Sequence, residues 1–430
     1  MSEAFYITAK NLAEKGYNGI PSELKSSEHL IYSSPATLAF NSPGAKGFGV
    51  KRAGLAVPNS VMLLVAPGCC GRNTALLNDL GYNERFFYLM LDDTDIVTGR
   101  HLTKIPKAVK ELCGELDYTP SAVMICITCV DALLGTDMER VCRKCEETAG
   151  VPAVPCYMYA LIREKRLPPM AAVRRAVYSL LKPQKRVSNE CNIMGFFSPL
   201  DDGCEIYPLL KSAGIKQVRE LSRCADFEEY SRLSRANFNL VLNAESRYAA
   251  QEMEKSLGIP SVELTRMYQL DKIGNQYRLL GQAIGVVFDD EEYRSAAEKA
   301  VRDFREKYGS LNFAVGENLN ADSFELSLAL LRYGFNVGEI YGTVTERNFI
   351  FVKKIAELSP DTKIFSNLSP TMLFYEDSGD IDAVIGSDAA YYHPNTAGVH
   401  FNEETQPFGY RGVVLLFEKL DKAILENTVI

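Results

Sequence analysis

From residue 60 onward one pattern repeats: a short apolar run, a turn, then an amphipathic helix. A chain that alternates in this way builds parallel sheets, because each crossover between neighbouring strands carries a helix that covers a sheet face. The expected fold is therefore α/β, with mainly parallel sheets flanked by helices.

The first strands are expected at Ser60–Val65, Phe86–Leu91 and Ala122–Ile127, with helices over Thr103–Glu115 and Asp137–Thr148. Ile105, Val109 and Leu112 make one apolar stripe. Thr136 or Asp137 can cap the second helix and Gly150 can end it. The basic, proline-containing run Lys182–Arg186 reads as a domain boundary. Beyond it, strands Cys191–Phe197, Gln217–Leu221 and Leu240–Leu242 alternate with helices Glu205–Ala213, Asp226–Arg235 and Arg247–Leu257, the last ending at Gly258. A helix with a charged face, Glu291–Tyr308, leads to a third run. There Phe313–Val315, Val337–Tyr341 and Ile381–Ile385 read as strands, and Ser323–Tyr333 and Arg347–Leu358 as helices. Tyr410–Phe417 and a terminal helix from Glu418 close the chain. Residues 1–60 are punctuated by Gly and Pro and read as irregular. Three Rossmann-like domains are expected: 1–185, 186–305, and 306–430 with the C-terminal helix.

In such sheets ligands sit at the carboxyl ends of strands, near the point where strand order reverses. The cysteines gather there. Cys69 and Cys70, in Pro67-Gly68-Cys69-Cys70-Gly71, follow the first strand; Cys126 and Cys129 close another. The chain carries 11 cysteines and a net charge of -8. It opens without a basic and apolar leader and has no run of about 20 apolar residues, so a cytoplasmic protein with no membrane segment is expected. Cytoplasmic thiols stay reduced, which turns the cysteines from disulfides toward metal. Thiolate ligands suit an iron–sulfur cluster or zinc. The acidic balance argues against a nucleic-acid partner.

Two C-x-x-C pairs, Cys126/Cys129 and Cys142/Cys145, have the spacing of a zinc site. Cys126, however, falls inside an apolar strand, and Cys142 and Cys145 lie one helical turn apart beside Val141, where a thiol packs as a small hydrophobe. Cys113, Cys156, Cys191, Cys204 and Cys224 lack paired spacing and read as packing residues. His29 and His101 read as structural. His393 and His400 follow the strand Ile381–Ile385, and His400, close to Glu403 and Glu404, can donate protons or hold a cofactor. No G-x-x-x-x-G-K-[ST] loop, convincing G-x-G-x-x-G turn or G-x-S-x-G elbow occurs. A redox centre without a nucleotide site needs an external electron donor.

These segments resemble, in order, those of the component 1 proteins of nitrogenase and nitrogenase-like reductases. The latter include tetrapyrrole reductases such as dark-operative protochlorophyllide reductase. Gly68-Cys69-Cys70-Gly71 is similar to the family's Gly-Pro-x-Gly-Cys-Gly turn. Asp92–Gly99 is similar to its acidic Glu-x-Asp-Ile-Val-Phe-Gly segment, and Thr128–Asp137 to its Cys-Pro-x-Gly-Leu-Ile-Gly-Asp-Asp loop. Val151–Pro155, Met253–Pro260 and Gly409–Phe417 match as well.

The resemblance implies three α/β domains with an iron–sulfur cluster at a subunit interface. Cys70 and Cys129 match cluster ligands; Cys69 and Cys126 are neighbours without clear counterparts. The family's earliest cluster cysteine would fall near Asn41–Gly47, where this chain has none, which argues against an eight-iron P-cluster and for a [4Fe-4S] cluster. Leu240–Arg247 lacks the cysteine that anchors the iron–molybdenum cofactor, although His400 falls near the family's cofactor histidine. A molybdenum-type cofactor is therefore not expected, and an organic substrate can take the interdomain cleft. Two ligands per chain then imply a homodimer, or a heterodimer with a second component 1-like chain. A separate ATP-dependent iron–sulfur reductase is implied as electron donor. Two alternatives stay open: a metallocofactor scaffold or maturase without substrate turnover, and a non-redox module with zinc on Cys126, Cys129, Cys142 and Cys145.

Overall fold

The computed structural model describes residues 3–25, 53–68, 84–128, 134–157, 167 and 169–426. The N-terminal strand β1 (Ile7–Thr8) is followed by β2 (Val61–Ala66), β3 (Phe86–Met90), β4 (Val123–Ile127) and β5 (Ala153–Tyr157). Next come β6 (Glu190–Met194), β7 (Gln217–Glu220), β8 (Phe238–Val241) and β9 (Ser261–Glu263). The last group is β10 (Asn312–Val315), β11 (Asn336–Tyr341), β12 (Lys363–Phe365), β13 (Ala383–Ile385) and β14 (Gly398–Val399). They form three sheets, ordered β3-β2-β4-β5, β7-β6-β8-β9 and β1-β12-β11-β10-β13-β14. Every pairing is parallel except that of β1 with β12. Contacts divide the chain into two compact units, one within 46–197 and 214–265, the other within 1–45, 198–213 and 266–430.

The first unit holds the two four-stranded sheets. Side chains alternate across a strand, so a strand buried on both faces reads as a continuous apolar run. Val61, Leu63 and Val65 of β2, with Val123, Ile125 and Ile127 of β4, face one cluster. Ile105 and Val109 of the helix His101–Glu115 and Met138, Val141, Cys142 and Cys145 of the helix Met138–Ala149 complete it. Met62, Leu64 and Ala66 of β2, with Met124 and Cys126 of β4, face the other. That second cluster also takes in Val173 and Val177 of the helix Pro169–Tyr178, Met194 of β6, Val241 of β8 and Met253 of the helix Arg247–Leu257. Each fully buried aliphatic chain of this kind contributes about 1.5–3 kcal/mol.

Helix ends follow local chemistry. Asp137 Oδ1 accepts from Arg140 N at 2.9 Å to cap the helix Met138–Ala149, and Gly150 closes it at φ 69°. The outer edge of β5 is blunted twice. Ala153 N donates to Glu146 Oε1 at 3.0 Å, and Pro155, two residues on, has no N–H to offer a further strand.

The second unit is built on the six-stranded sheet. The helix Ser323–Arg332 is buried from Ser323 through Leu330. Phe304, Phe335 and Phe417 meet at ring-centroid distances of 5.1–5.9 Å. Tyr410–Phe417 is not a separate element preceding a terminal helix: Gly409–Leu425 is one helix, with Tyr410, Val413, Leu416, Phe417 and Leu420 on its buried stripe. The N-terminal stretch is not wholly irregular either. Ile7, Ala9 and Leu12 are buried in β1 and the helix Ala9–Lys15, where β1 adds an antiparallel edge to β12. Two residues of strand carry no periodicity, so only the partner strand reveals them. Among the described residues no helix is long and apolar enough to cross a membrane.

Candidate functional site

Strands β2 and β4 are hydrogen-bonded neighbours, with Val65 opposite Ile127. Their carboxyl ends therefore emerge side by side, about 4.8 Å apart. Pro67 and Gly68 continue β2, and Thr128 continues β4. Cys69, Cys70 and Cys129 come next in the chain and lie outside the described residues. Cys129 is two residues beyond Ile127 and Cys70 five beyond Val65, each residue reaching at most about 3.6 Å. The neighbouring β3 pins this corner. The Tyr88 hydroxyl donates to the carbonyl oxygens of Ala66 at 2.9 Å and Pro67 at 2.5 Å.

Thr128 is 2% exposed, and its Oγ1 is buried with no hydrogen-bond partner. A buried hydroxyl left unpaired costs about 1–3 kcal/mol.

Cys126 is fully buried beside Met124 and opposite Cys156 of β5, an environment that suits packing. Cys142 and Cys145 lie in the cluster on the opposite face of the same sheet. A zinc ion about 2.3 Å from each sulfur cannot join thiols separated by a sheet, so the four-cysteine zinc arrangement does not form. Burial raises the Cys142 thiol far above its ordinary range and pushes Cys145 up to about 12, as expected of inert core cysteines.

The acidic run after β3 makes a local lock. Asp92 Oδ1 accepts from Asp95 N at 2.7 Å, and Asp95 Oδ2 accepts from Asp92 N at 3.2 Å. Lys104 Nζ and Arg100 Nε each lie 2.6 Å from the buried Asp95 carboxylate. Lys104 and then Arg100 hold that carboxyl well below the usual range. His101 is buried, with Nδ1 3.2 Å from the Asp95 carbonyl and Nε2 3.3 Å from Thr136 Oγ1, as a structural histidine should be.

In the region of Leu240–Arg247 stands an ion pair. Arg174 Nη1 lies 2.7 Å from Glu245 Oε2, and Arg174 Nη2 donates to the Gly195 carbonyl at 2.9 Å.

The second unit carries a polar rim at the carboxyl ends of its sheet. β10 lies between β11 and β13, so strand order reverses there. Gly316 follows β10 and Gly386 follows β13. A Cβ on Gly386, which sits at φ +108°, would lie 3.0 Å from Gly316 Cα. The close approach admits the Asp388 carboxylate, which accepts from Glu317 N at 2.7 Å, Asn318 N at 3.1 Å and Asn367 Nδ2 at 2.6 Å. Glu317 itself accepts from Thr343 N at 2.9 Å. Burial pushes the Glu317 carboxyl up to about 7.

His400 follows β14 on this rim. It is exposed, with Nδ1 2.6 Å from Ser387 Oγ. The next residue, Phe401, holds φ 44°, a left-handed conformation that non-glycine residues adopt mostly under functional or packing constraint. Of the two carboxylates close in sequence, Glu403 lies 3.0 Å from Lys419 Nζ and Glu404 accepts from Ser198 Oγ at 2.8 Å. His393 is buried instead. Its Nδ1 is 2.9 Å from Asp377 Oδ1 and its Nε2 3.1 Å from Glu339 Oε2, which also accepts from the Tyr341 and Tyr375 hydroxyls.

Sequence reading missed Glu317, Ser387 and Asp388. Their signal was available: each lies one to three residues past a strand of the parallel sheet.

Glu317 makes a pH prediction. Its folded carboxyl titrates near 7 against 4.5 unfolded, so between these values the native state holds a proton that the unfolded chain lacks. The stability contributed is present at low pH and lost as pH rises through about 7. The thermal midpoint of wild type should fall more steeply than that of Glu317→Gln between about pH 5 and pH 8. Equal slopes would reject the assignment.

A family model described as nitrogenase component 1 type oxidoreductase matches residues 46–425. The nitrogenase iron-molybdenum cofactor biosynthesis protein NifE of Sinorhizobium fredii is 26% identical over 359 residues, 78% of this chain and 71% of that protein. The protein of the same name from Nostoc sp. is 26% identical over 215 residues, 49% of this chain and 43% of its own length. The nitrogenase molybdenum-iron protein alpha chain of Methanosarcina barkeri is 25% identical over 244 residues, 55% of this chain and 44% of that one. This chain thus spans less than half the length of two of these three relatives. A solved structure described as Nitrogenase Cp1 at pH 6.5 superposes with a TM-score of 0.69 at 16% identity, covering 92% of both chains, and so shares the fold. With the family match running through both compact units, this chain belongs to the nitrogenase component 1 type oxidoreductase family.

Proposed function

We propose that this protein is a cytoplasmic redox component that holds a [4Fe-4S] cluster on Cys70 and Cys129, with Cys69 the adjacent alternative to Cys70. One observation carries the reading: the hydrogen-bonded neighbours β2 and β4 end together and lead straight into these cysteines. A cubane needs four ligands and one chain offers two, so a homodimer completes the set. A heterodimer with a second component 1-like chain is the competing assembly. The cluster would supply one-electron transfer. Low-potential electrons would come from a separate ATP-dependent iron–sulfur reductase, since this chain has no phosphate-binding loop. Substrate would sit at the carboxyl ends of the six-stranded sheet. There His400, held by Ser387, and the Glu317 carboxyl, which burial pushes up to about 7, can move protons.

A second reading is favoured by the relatives' names, two of the three above being cofactor biosynthesis proteins. In it the chain holds a metallocofactor and hands it on without reducing a small molecule.

Anaerobic purification followed by metal and sulfide counting tests what the two readings share, with about four irons per dimer expected. An iron-free product after reconstitution overturns both. Reduction of a substrate with a reductase and ATP supports the first reading. Transfer of metal to an apo-partner with no turnover supports the second.

A further inference from the structure

A dense set of titratable side chains lies inside the second unit, apart from the rim. Glu339 and Tyr341 alternate onto one face of β11, and Lys363 and Phe365 of β12 stand opposite them. Glu339 Oε2 accepts from the Tyr341 hydroxyl at 2.5 Å and from the Tyr375 hydroxyl at 2.7 Å. Both hydroxyls and Glu339 Oε2 lie 3.1 Å from His393 Nε2, and Asp377 Oδ1 lies 2.9 Å from His393 Nδ1. Lys363 Nζ, 3.7 Å from Glu339 Oε1, completes the charges around the group. Burial pushes the Glu339 carboxyl up, but hydrogen bonds from His393, Tyr341 and Tyr375 outweigh it and hold the group below its ordinary value. Burial pushes both phenols up. At rest the network is therefore one carboxylate facing two protonated phenols.

Aromatic rings lead from this pair to the surface. Tyr392 stacks on Tyr341 at 4.8 Å between centroids and lies 4.9 Å from Tyr375. The exposed Tyr391 lies 5.4 Å from Tyr392. A second run passes through Phe365, 5.4 Å from Tyr341, to the exposed Tyr6 at 5.6 Å from Phe365. Such contacts pack a core, and they also bring π-systems close enough for an electron to pass. The chain has 22 tyrosines and no tryptophan, so tyrosine is its most readily oxidised aromatic side chain. Loss of one electron turns a phenol into a strong acid, and a radical cation buried without a partner is costly. A phenol in an apolar interior therefore gives up an electron only where a base takes its proton.

We propose that Tyr341 and Tyr375 form a redox-active pair, at which oxidising equivalents entering through Tyr391 and Tyr392 come to rest. One phenol of the pair loses an electron, which passes through Tyr392 and Tyr391 to an outer-sphere one-electron oxidant at the surface. Its O–H bond breaks, and the proton moves to Glu339 Oε2 along the existing hydrogen bond. The products are a neutral tyrosyl radical, a protonated Glu339 and the oxidant reduced by one electron. Reduction of the radical by one electron returns the proton to the phenol. The inference stands apart from the cluster reading, since none of these residues is a proposed cluster ligand.

Full-length protein oxidised by flash-generated tris(bipyridine)ruthenium(III) and followed by electron paramagnetic resonance tests the pair, after thermal midpoints have shown which variants fold. Wild type should give a long-lived tyrosyl signal that forms more slowly in heavy water. Tyr341→Phe combined with Tyr375→Phe should lose that signal and leave only the short-lived background of surface tyrosines. Glu339→Gln should lose it as well with both phenols in place, because the amide keeps the shape of the side chain and cannot take the proton. Tyr392→Phe should slow its appearance. A wild type without a long-lived signal overturns the proposal. So does an undiminished signal in the double variant or in Glu339→Gln. Should the double variant fail to fold, the two single phenylalanine variants and Glu339→Gln decide, and an undiminished signal in all three overturns the pair.

Discussion

Alanine at Cys129 is expected to abolish iron binding, taking the reconstituted protein from about four irons per dimer to none. A two-fold assembly uses each ligand twice, so one substitution removes two of four thiolates. A cubane left with two cannot be retained. Alanine at Cys70 should do the same. Cys142→Ala is the contrasting case. Cys142 is 3% exposed in an apolar cluster with Ile105, Val109 and Val141, so its loss should cost about 1 kcal/mol of stability and no iron. Cys126→Ala tests the cysteine inside β4. Its full burial beside Met124 predicts the same outcome as for Cys142. Iron counts on the four variants check the set, and iron retained by Cys129→Ala would refute the ligand assignment.

The second large effect lies far from any cysteine. Glu205 is fully buried, and its carboxylate accepts from Tyr410 N at 2.6 Å, Arg411 N at 3.1 Å and the Tyr277 hydroxyl at 2.6 Å. It thereby satisfies the first free N–H groups of the helix Gly409–Leu425 and places a carboxylate at the positive end of the helix dipole. Glu205→Ala orphans three donors, two buried and one partly buried, at roughly 1–2 kcal/mol each, a loss of about 3–6 kcal/mol. Gly409→Ala should be comparably damaging for a different reason. Gly409 sits at φ +61°, and a Cβ there would fall on Glu205 Oε1 and the Tyr277 hydroxyl. Urea unfolding of the two variants measures both losses. A change below about 1 kcal/mol in either would mean that the helix start is held by other groups.

Much of the scaffold was readable because it is written in periodicity. The continuous apolar runs of β2 and β4, the stripe Ile105–Val109 and the cap Asp137 with its closing Gly150 are local signals, and the structure has them where the sequence puts them. The helix Leu270–Ile284 was missed although Leu270, Ile273, Tyr277 and Leu280 keep helical spacing on its buried side. β1 and β12, of two and three residues, are too short for any period to show. The rim of the six-stranded sheet was legible in part. His400 was singled out by its neighbours in sequence, but Glu403 and Glu404 turn to Lys419 and Ser198, and the hydroxyl at 2.6 Å belongs to Ser387.

The order of the longer strands and most helices, the Asp137 and Gly150 caps and the family were legible in the sequence alone, because apolar spacing and short motifs act between residues a few positions apart. Which face Cys126, Cys142 and Cys145 take and which carboxylate starts the last helix were decided by tertiary structure. Glu205 and Tyr410 are 205 residues apart in the chain, and no local preference pairs them. Only the closure of the fold takes both out of water, where an N–H and a carboxylate must find each other or remain unpaired.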